Sequence, residues 1–491
     1  MMRNVFLLLT AGLLFLAAIV SYRTFAAAPV AVTLPTPPQL IKVNSAELAT
    51  NLSQSIRFKT VSNQDPQLFD LNEFIAFQNW LQQTYPDFYA VVKTQMLAGS
   101  TQLNIWQGSD QSLSPVVFLA HQDVVPADET ANSGWIEPPF AGNIKDGFIW
   151  GRGAIDDKGS LIAMLEAANR LAASGYQPKR TLIFGFGHDE EVGGNGAKAI
   201  AALLQSQGIR PWAVFDEGGA ITTNMPDIAG PVARIGVAEK GYLTLILTAR
   251  ATGGHSSTPP KTTALGGISR AIAAVEANPF EKKLDPVLIA MLQATAKSTE
   301  NGFVKRMILS NLWLFGGLVE AQLLGSKSGS AILGTTIAPT ILHAGTKENI
   351  LPREAIAYIN FRIAGRDSIE SVISHISKAI NNPDIEITIS NPPGSEPTPI
   401  SQIGTGPYAW LSKVITDGFP GTLIAPNTVP MATDSRHFTK ITDDIYRFAP
   451  YTFDSSDLSR IHGLNERIGV DDFAKGVQVY YLMLERAGQI G

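Results

Sequence analysis

Two histidines and a run of paired carboxylates are the side chains of this sequence best suited to chemistry. His121 and Asp123 stand two apart. At a strand end such residues point the same way, so the carboxylate can lie beside the ring. A metal-ligating imidazole commonly passes its other N–H to a neighbour of this kind, which fixes the tautomer. Glu190 and Glu191 are adjacent, and two neighbouring carboxylates repel unless a cation sits beside them. A metal would supply that charge: one glutamate ligates while its neighbour takes a proton from metal-activated water. In Gly151-Arg-Gly-Ala-Ile-Asp156-Asp157-Lys-Gly159, three glycines surround two acids, a composition that permits close backbone approach. Asp216-Glu217 is a further acidic pair, and His462 in Arg460-Ile-His-Gly-Leu-Asn-Glu466 can complete a site from far along the chain. The chain has no cysteine, so any transition-metal site must be built from His, Asp and Glu. Those donors suit zinc, manganese or cobalt, and a shared carboxylate is how two-metal hydrolases hold their pair.

Three short apolar runs must position these groups: Pro115–Ala120, Thr181–Phe186 and Trp212–Phe215. None alternates, as expected of parallel strands buried on both faces. Each ends in acidic or imidazole residues, at the carboxyl edge where open α/β sheets bind ligands. Helical spacing is found at Ser45–Phe58, Leu71–Thr84, Leu161–Ser174 and Ala197–Gln207. From Lys240 the pattern becomes strand, helix, two strands, helix and strand, ending at Ser390, a ferredoxin-like order. A largely helical insertion over Pro279–Thr335 interrupts it. The expected fold is thus an α/β domain in two parts, residues 45–239 and 392–491, split by an inserted α+β domain at 240–391.

A hydrophobic fraction of 45% beside 16% charged residues excludes a disordered chain, and a net charge of -5 argues against a nucleic-acid partner. Val5–Tyr22 carries no charge and lies between Arg3 and Arg23, a length between a secretory signal and a spanning helix. Residues 1–28 are therefore expected to direct export, as an uncleaved anchor in preference to a signal cut near Ala26–Ala28. Pro-rich residues 29–44 would follow as a linker. No second continuous stretch approaches eighteen apolar residues.

Taken in order, the motifs resemble the co-catalytic di-zinc peptidase family of carboxypeptidase S, glutamate carboxypeptidase, aminoacylase and the N-fatty-acyl-amino-acid hydrolases. They are Leu119-Ala-His121-Gln-Asp123, Trp150–Gly159, His188-Asp-Glu190-Glu191-Val-Gly-Gly194, Phe215-Asp216-Glu-Gly-Gly219, Gly254-His255-Ser-Ser, Glu348-Asn349-Ile-Leu-Pro352, Asn360-Phe-Arg362 and Thr433-Asp-Ser-Arg436. The resemblance implies a zinc-exopeptidase-like α/β/α catalytic domain carrying an inserted lid, and two Zn2+ ions per chain. Asp156 would bridge the ions, with a cis peptide to Asp157. His121 and Asp216 would complete one zinc site, with Glu217 the alternative to Asp216; Glu191 and His462 would complete the other. Glu190 would be the general base, Asp123 would orient His121, and His255 would stabilise the oxyanion. Asn349 and Arg362 would receive a substrate carboxylate, with Asp434, Ser435 and Arg436 also at the substrate. The implied reaction is hydrolysis of an amide beside a free carboxylate in a peptide or N-acyl amino acid. Dipeptidase or aminopeptidase work is the alternative, and metal or ligand binding without turnover a remote one.

Overall fold

The computed structural model describes residues 2–27, 38–130, 132–224, 230–298, 301–454 and 456–490. Part of the expected linker and the last residue of the expected cleavage region lie outside them. The main sheet begins with a β-hairpin, β1 (Lys93–Leu97) and β2 (Thr101–Trp106). Inside it lie the three expected strands, β3 (Val116–His121), β4 (Leu182–Gly187) and β5 (Ala213–Asp216), each buried along its whole length. Strand β3 runs parallel to both β4 and β5, with His121 opposite Gly187 and Phe118 opposite Phe215.

The period-2 alternation of side chains divides these strands between two layers. Phe118, Phe184 and Phe215 join the core that contains helix Val470–Gln489 and a helix at Lys158–Ala173. Val117, Leu119, Ile183 and Val214 pack with Ala197, Ile200 and Leu204 of helix Asn195–Ser206 on the other face. Both faces being covered explains why the runs are apolar without alternation. The sheet continues through β6 (Val232–Glu239).

A second sheet holds β7 (Gly241–Arg250), β8 (Thr336–Ala344), β9 (Glu354–Ile363) and β10 (Ile385–Ile389) in the order β8-β9-β7-β10, all antiparallel. Helices Ala264–Ala277 and Ile369–Ile380 cover it through a separate core of Leu243, Leu245, Ile268, Val372 and Ile376. This is the ferredoxin-like arrangement expected from the strand and helix order. The chain then returns to the main sheet with β11 (Leu423–Val429), parallel to β6, and β12 (Ile445–Arg447), inserted between β5 and β6.

Helix α1 (Met2–Ala26) has a mean hydropathy of 2.4 over its most apolar window, none of which is buried. The helical insertion includes α2 (Phe303–Ser310) and α3 (Leu312–Leu324). Together these two are apolar enough to cross a membrane but are bent by 107° at their junction. They do not form a second straight span.

Candidate metal centre

The carboxyl ends of β3, β4 and β5 bring His121, the Glu190–Val192 turn and Glu217 to one edge, beside the glycine-rich loop carrying Asp156. Asp156 stands between the two histidines. Its Oδ1 lies 3.0 Å from His121 Nε2, and its Oδ2 lies 3.0 Å from His462 Nε2. His462 Nε2 is also 3.0 Å from Glu191 Oε2, and His121 Nε2 is 3.4 Å from Glu217 Oε1. Potential ligand atoms of His121, Asp156 and Glu191, and likewise of His121, Asp157 and Glu217, all fall within 4.8 Å of one another. The peptide between Asp156 and Asp157 is cis.

Of the preferred and the alternative acid for the His121 side, it is Glu217, the alternative, that reaches His121, and not Asp216. Asp216 closes β5, and its carboxylate accepts from the N–H of Glu217 at 3.0 Å and of Ser435 at 2.7 Å. Ser435 N–H is buried and requires an acceptor, so the shorter acid is used there. The Ser435 hydroxyl lies 2.7 Å from that of Thr433, which donates to Glu239, and Glu239 also accepts from Arg447. Ser435 is fully buried and Asp434 nearly so. Arg436 does face the site: Nη1 is 3.6 Å from Glu190 Oε1, while its guanidinium donates to the Thr433 and Gly193 carbonyls.

A layer behind the cluster fixes its geometry. The Asp123 carboxylate accepts from the N–H groups of Glu190 and Glu191, both at 3.2 Å. The Asp123 carbonyl lies 2.9 Å from His121 Nδ1, nearer than its carboxylate at 3.4 Å. Glu466, absent from the expected site, is fully buried, and its Oε1 accepts from the N–H groups of Gly153, Ile155 and Asp156. Its Oε2 accepts from Arg152, which also donates to the carbonyls of His462 and Gly463. His462 has φ 58°, a left-handed conformation costing roughly 1–2 kcal/mol for a residue with a Cβ. The Arg152 clamp holds that turn against the Asp156 loop. A spacing search can find ligands by type but carries no signal for Glu466, whose partners are mostly backbone.

Acids outnumber cationic groups here, and the proton affinities reflect it. Burial pushes the Glu217 carboxyl up to about 8, with Asp156 adding to the rise. Burial likewise raises Glu190, Glu191 and Asp157. Hydrogen bonds to Asp156 and Glu191 raise His462 to about 10. Burial would also raise Asp156, but its bonds to both histidines outweigh it and hold this carboxyl below the usual range. Glu191 Oε1 and Asp157 Oδ1 are buried without a hydrogen-bond partner. Buried carboxylate oxygens without donors are costly unless something cationic sits among them.

The second sheet carries the other expected residues. His255 pairs with Ile350 across a two-residue bridge, and His255 and Asn349 line one open cleft. His255 is exposed, with Nδ1 2.8 Å from Ser257 Oγ. Arg362, on β9, lies over the Tyr242 ring at 4.9 Å. Among the described residues, none of these three is hydrogen-bonded or ion-paired to the His121–His462 cluster.

Such a cluster at the carboxyl edge of a doubly covered sheet defines a metal-dependent hydrolase. The chain belongs to Peptidase family M20/M25/M40, whose model matches residues 117–486. It is 36% identical over 450 residues to "Probable carboxypeptidase S-like 2" of Dictyostelium discoideum, covering 90% of this chain and 85% of that one. It is 34% identical over 458 residues to the "N-fatty-acyl-amino acid synthase/hydrolase PM20D1" of Homo sapiens, covering 92% and 90%. Among solved structures, the M20 family metallo-carboxypeptidase Sso-CP2 from Sulfolobus solfataricus has a TM-score of 0.66 at 16% identity, covering 90% of this chain and all of that one. Human carnosine dipeptidase 1 has a TM-score of 0.62 at 16% identity, covering 91% and 97%. At such identities the likeness is one of fold.

Proposed function

We propose that this enzyme is a di-zinc amidohydrolase that cleaves an amide next to a free carboxylate and releases an amino acid. N-acyl amino acids or peptide C-termini are its substrates. The carrying observation is the Asp156 carboxylate, one oxygen on each histidine, with Glu190 alongside. The donor set fits two zinc ions: His121, Asp156 and Glu217 for one, and Asp156, Glu191 and His462 for the other. The buried partnerless oxygen of Glu191 and the excess of acids support a cationic occupant. When bound, zinc polarises a carbonyl and makes water acidic enough to attack near neutral pH.

The chain's own groups do the rest. Glu190 takes the proton of the attacking water and returns it to the departing amide nitrogen, so the C–N bond breaks without releasing a free amide anion. Arg436 steadies the Glu190 carboxylate, and Asp123 holds His121 through its carbonyl and carboxylate. His255 would donate to the developing oxyanion. Asn349 and Arg362 would receive the substrate carboxylate, arginine through two parallel bonds. Relatives named for carboxypeptidase and for fatty-acyl-amino-acid chemistry support this substrate class. Helix α1 would hold the enzyme on the exported face of a membrane.

Zinc-loaded protein should hydrolyse N-acyl amino acids, and the matching C-terminal amides poorly. A panel that includes free dipeptides and aminopeptidase substrates tests this. Turnover confined to the dipeptides or aminopeptidase substrates would refute the reading.

A further inference from the structure

The helical insertion is joined to the amino-terminal helix in a way the hydrolytic site does not require. The last turns of α1 dock on the junction of α2 and α3. Arg23 Nε donates to the Ser310 carbonyl at 3.2 Å, and Asn311 Nδ2 lies 3.3 Å from Thr24 Oγ1. The rings of Phe25 and Phe303 stand 6.1 Å apart. Thr24 is buried by these contacts, whereas the rest of α1 is not. The level at which α1 leaves the protein body is therefore set by α2 and by Asn311.

Helix α3 presents an unusual surface at that level. Its thirteen residues, LWLFGGLVEAQLL, are apolar nearly all round. Leu312 and Val319 pack inward, and Glu320, its sole charged residue, accepts from the Leu284 N–H. The other side exposes Trp313, Leu314, Leu318 and Leu324, between 43% and 59% accessible. At this length a helix is too short to span but suits an interfacial segment. Tryptophan is enriched at the headgroup level of bilayers. Exposed contiguous apolar surface of this kind marks a contact, and its continuity with α1 specifies which one.

We propose that α3 lies in the membrane interface beside α1, with Trp313, Leu314 and Leu318 sunk at the headgroup–acyl boundary. The insertion is then a second membrane contact that fixes how the body sits on the bilayer. It rests on the anchoring role given to α1. Lys240, which immediately precedes β7, donates through Nζ to the carbonyls of Ala331 and Gly334 at the end of the insertion. A seated α3 is therefore tied to the root of the second sheet.

The absence of cysteine makes the test clean. Leu314→Cys and Leu318→Cys, both at exposed positions, and a control Gln111→Cys just before β3, would each carry an environment-sensitive fluorophore on the full chain. The proteins would be reconstituted into vesicles of phosphatidylcholine and phosphatidylglycerol and floated. The expected result is co-flotation of all three. Labels at 314 and 318 should show blue-shifted emission, quenching by nitroxide lipids and loss of quenching by iodide, while the label at 111 stays open to iodide. Co-flotation with the labels at 314 and 318 still in water overturns the inference alone. Failure to float overturns the anchor and the inference together. Shielding from both iodide and lipid nitroxides would mean that a second copy covers α3, and also overturns it.

Discussion

The ligand cluster and the inserted cleft divide the chemistry of this enzyme between two kinds of surroundings. At the cluster nearly every group has a backing partner: Asp123 holds the Glu190–Glu191 turn, Glu466 holds the Asp156 loop, and Arg152 holds His462. His255 and Asn349 instead sit at the rim of an open cleft, with His255 held by its near neighbour Ser257. The difference teaches which half is assembled beforehand. The cluster is preorganised, so its groups need little rearrangement to act. In the proposed reaction the cleft residues would act once a substrate joins the two sheets, the usual task of closing elements.

If that division is right, the largest effect comes from stripping the cluster: chelation should abolish activity, and added zinc should restore it. Elemental analysis that finds no metal in fully active protein would break the comparison at its firmer side. Next, Glu190→Gln should lower kcat by about 10²–10⁴ with metal content kept, because it removes a proton acceptor and not a ligand. Glu191→Gln should instead lose metal; the reverse pattern would exchange their roles. On the cleft side, Arg362→Ala should lower kcat/KM on N-acyl amino acids by roughly ten- to a hundred-and-fifty-fold, the value of about 1.5–3 kcal/mol for a charge-assisted bond. The matching amides should lose much less. Equal loss on both would assign Arg362, which stacks on Tyr242, to the fold.

The smallest effect should come from Asp216, whose carboxylate accepts from backbone N–H groups. Asp216→Ala should retain both metals and cost about 1–3 kcal/mol of stability, because it leaves the buried Ser435 N–H without an acceptor. Glu217→Ala should weaken metal binding. Calorimetry beside metal analysis separates the two.

These two acids also mark the limit of what the chain discloses by itself. The strands were readable because burial on both faces writes a continuous apolar run, and their polar ends showed where the site lies. His121, Asp156, Glu191 and His462, grouped by the family resemblance, come together in the structure. Beyond Asp216, however, the strand ends and its alternation with it, so which acid turns inward depends on a donor from Ser435, 219 positions away. The burial of Asp434 and Ser435, and the three hydrogen bonds that Glu466 accepts from backbone N–H groups, are likewise properties of distant backbone. The α3 surface escaped because Lys305, Arg306, Ser310 and Asn311 interrupt the apolar run in the sequence, and only the fold shows which of its apolar side chains are left exposed.

The clamp between Arg152 and Glu466 joins positions 314 apart in the chain, and this sets a sequence of events in time. A nascent chain in which His121, Asp156 and Glu191 have already emerged still lacks the brace for the Asp156 loop and the second histidine. It also lacks β12, whose place between β5 and β6 stays vacant until the whole inserted sheet has passed. Assembly of the proposed metal centre is thereby deferred to the end of synthesis. A chain stopped before Ile445 should bind zinc weakly and leave the edge of β5 open to pairing with other chains.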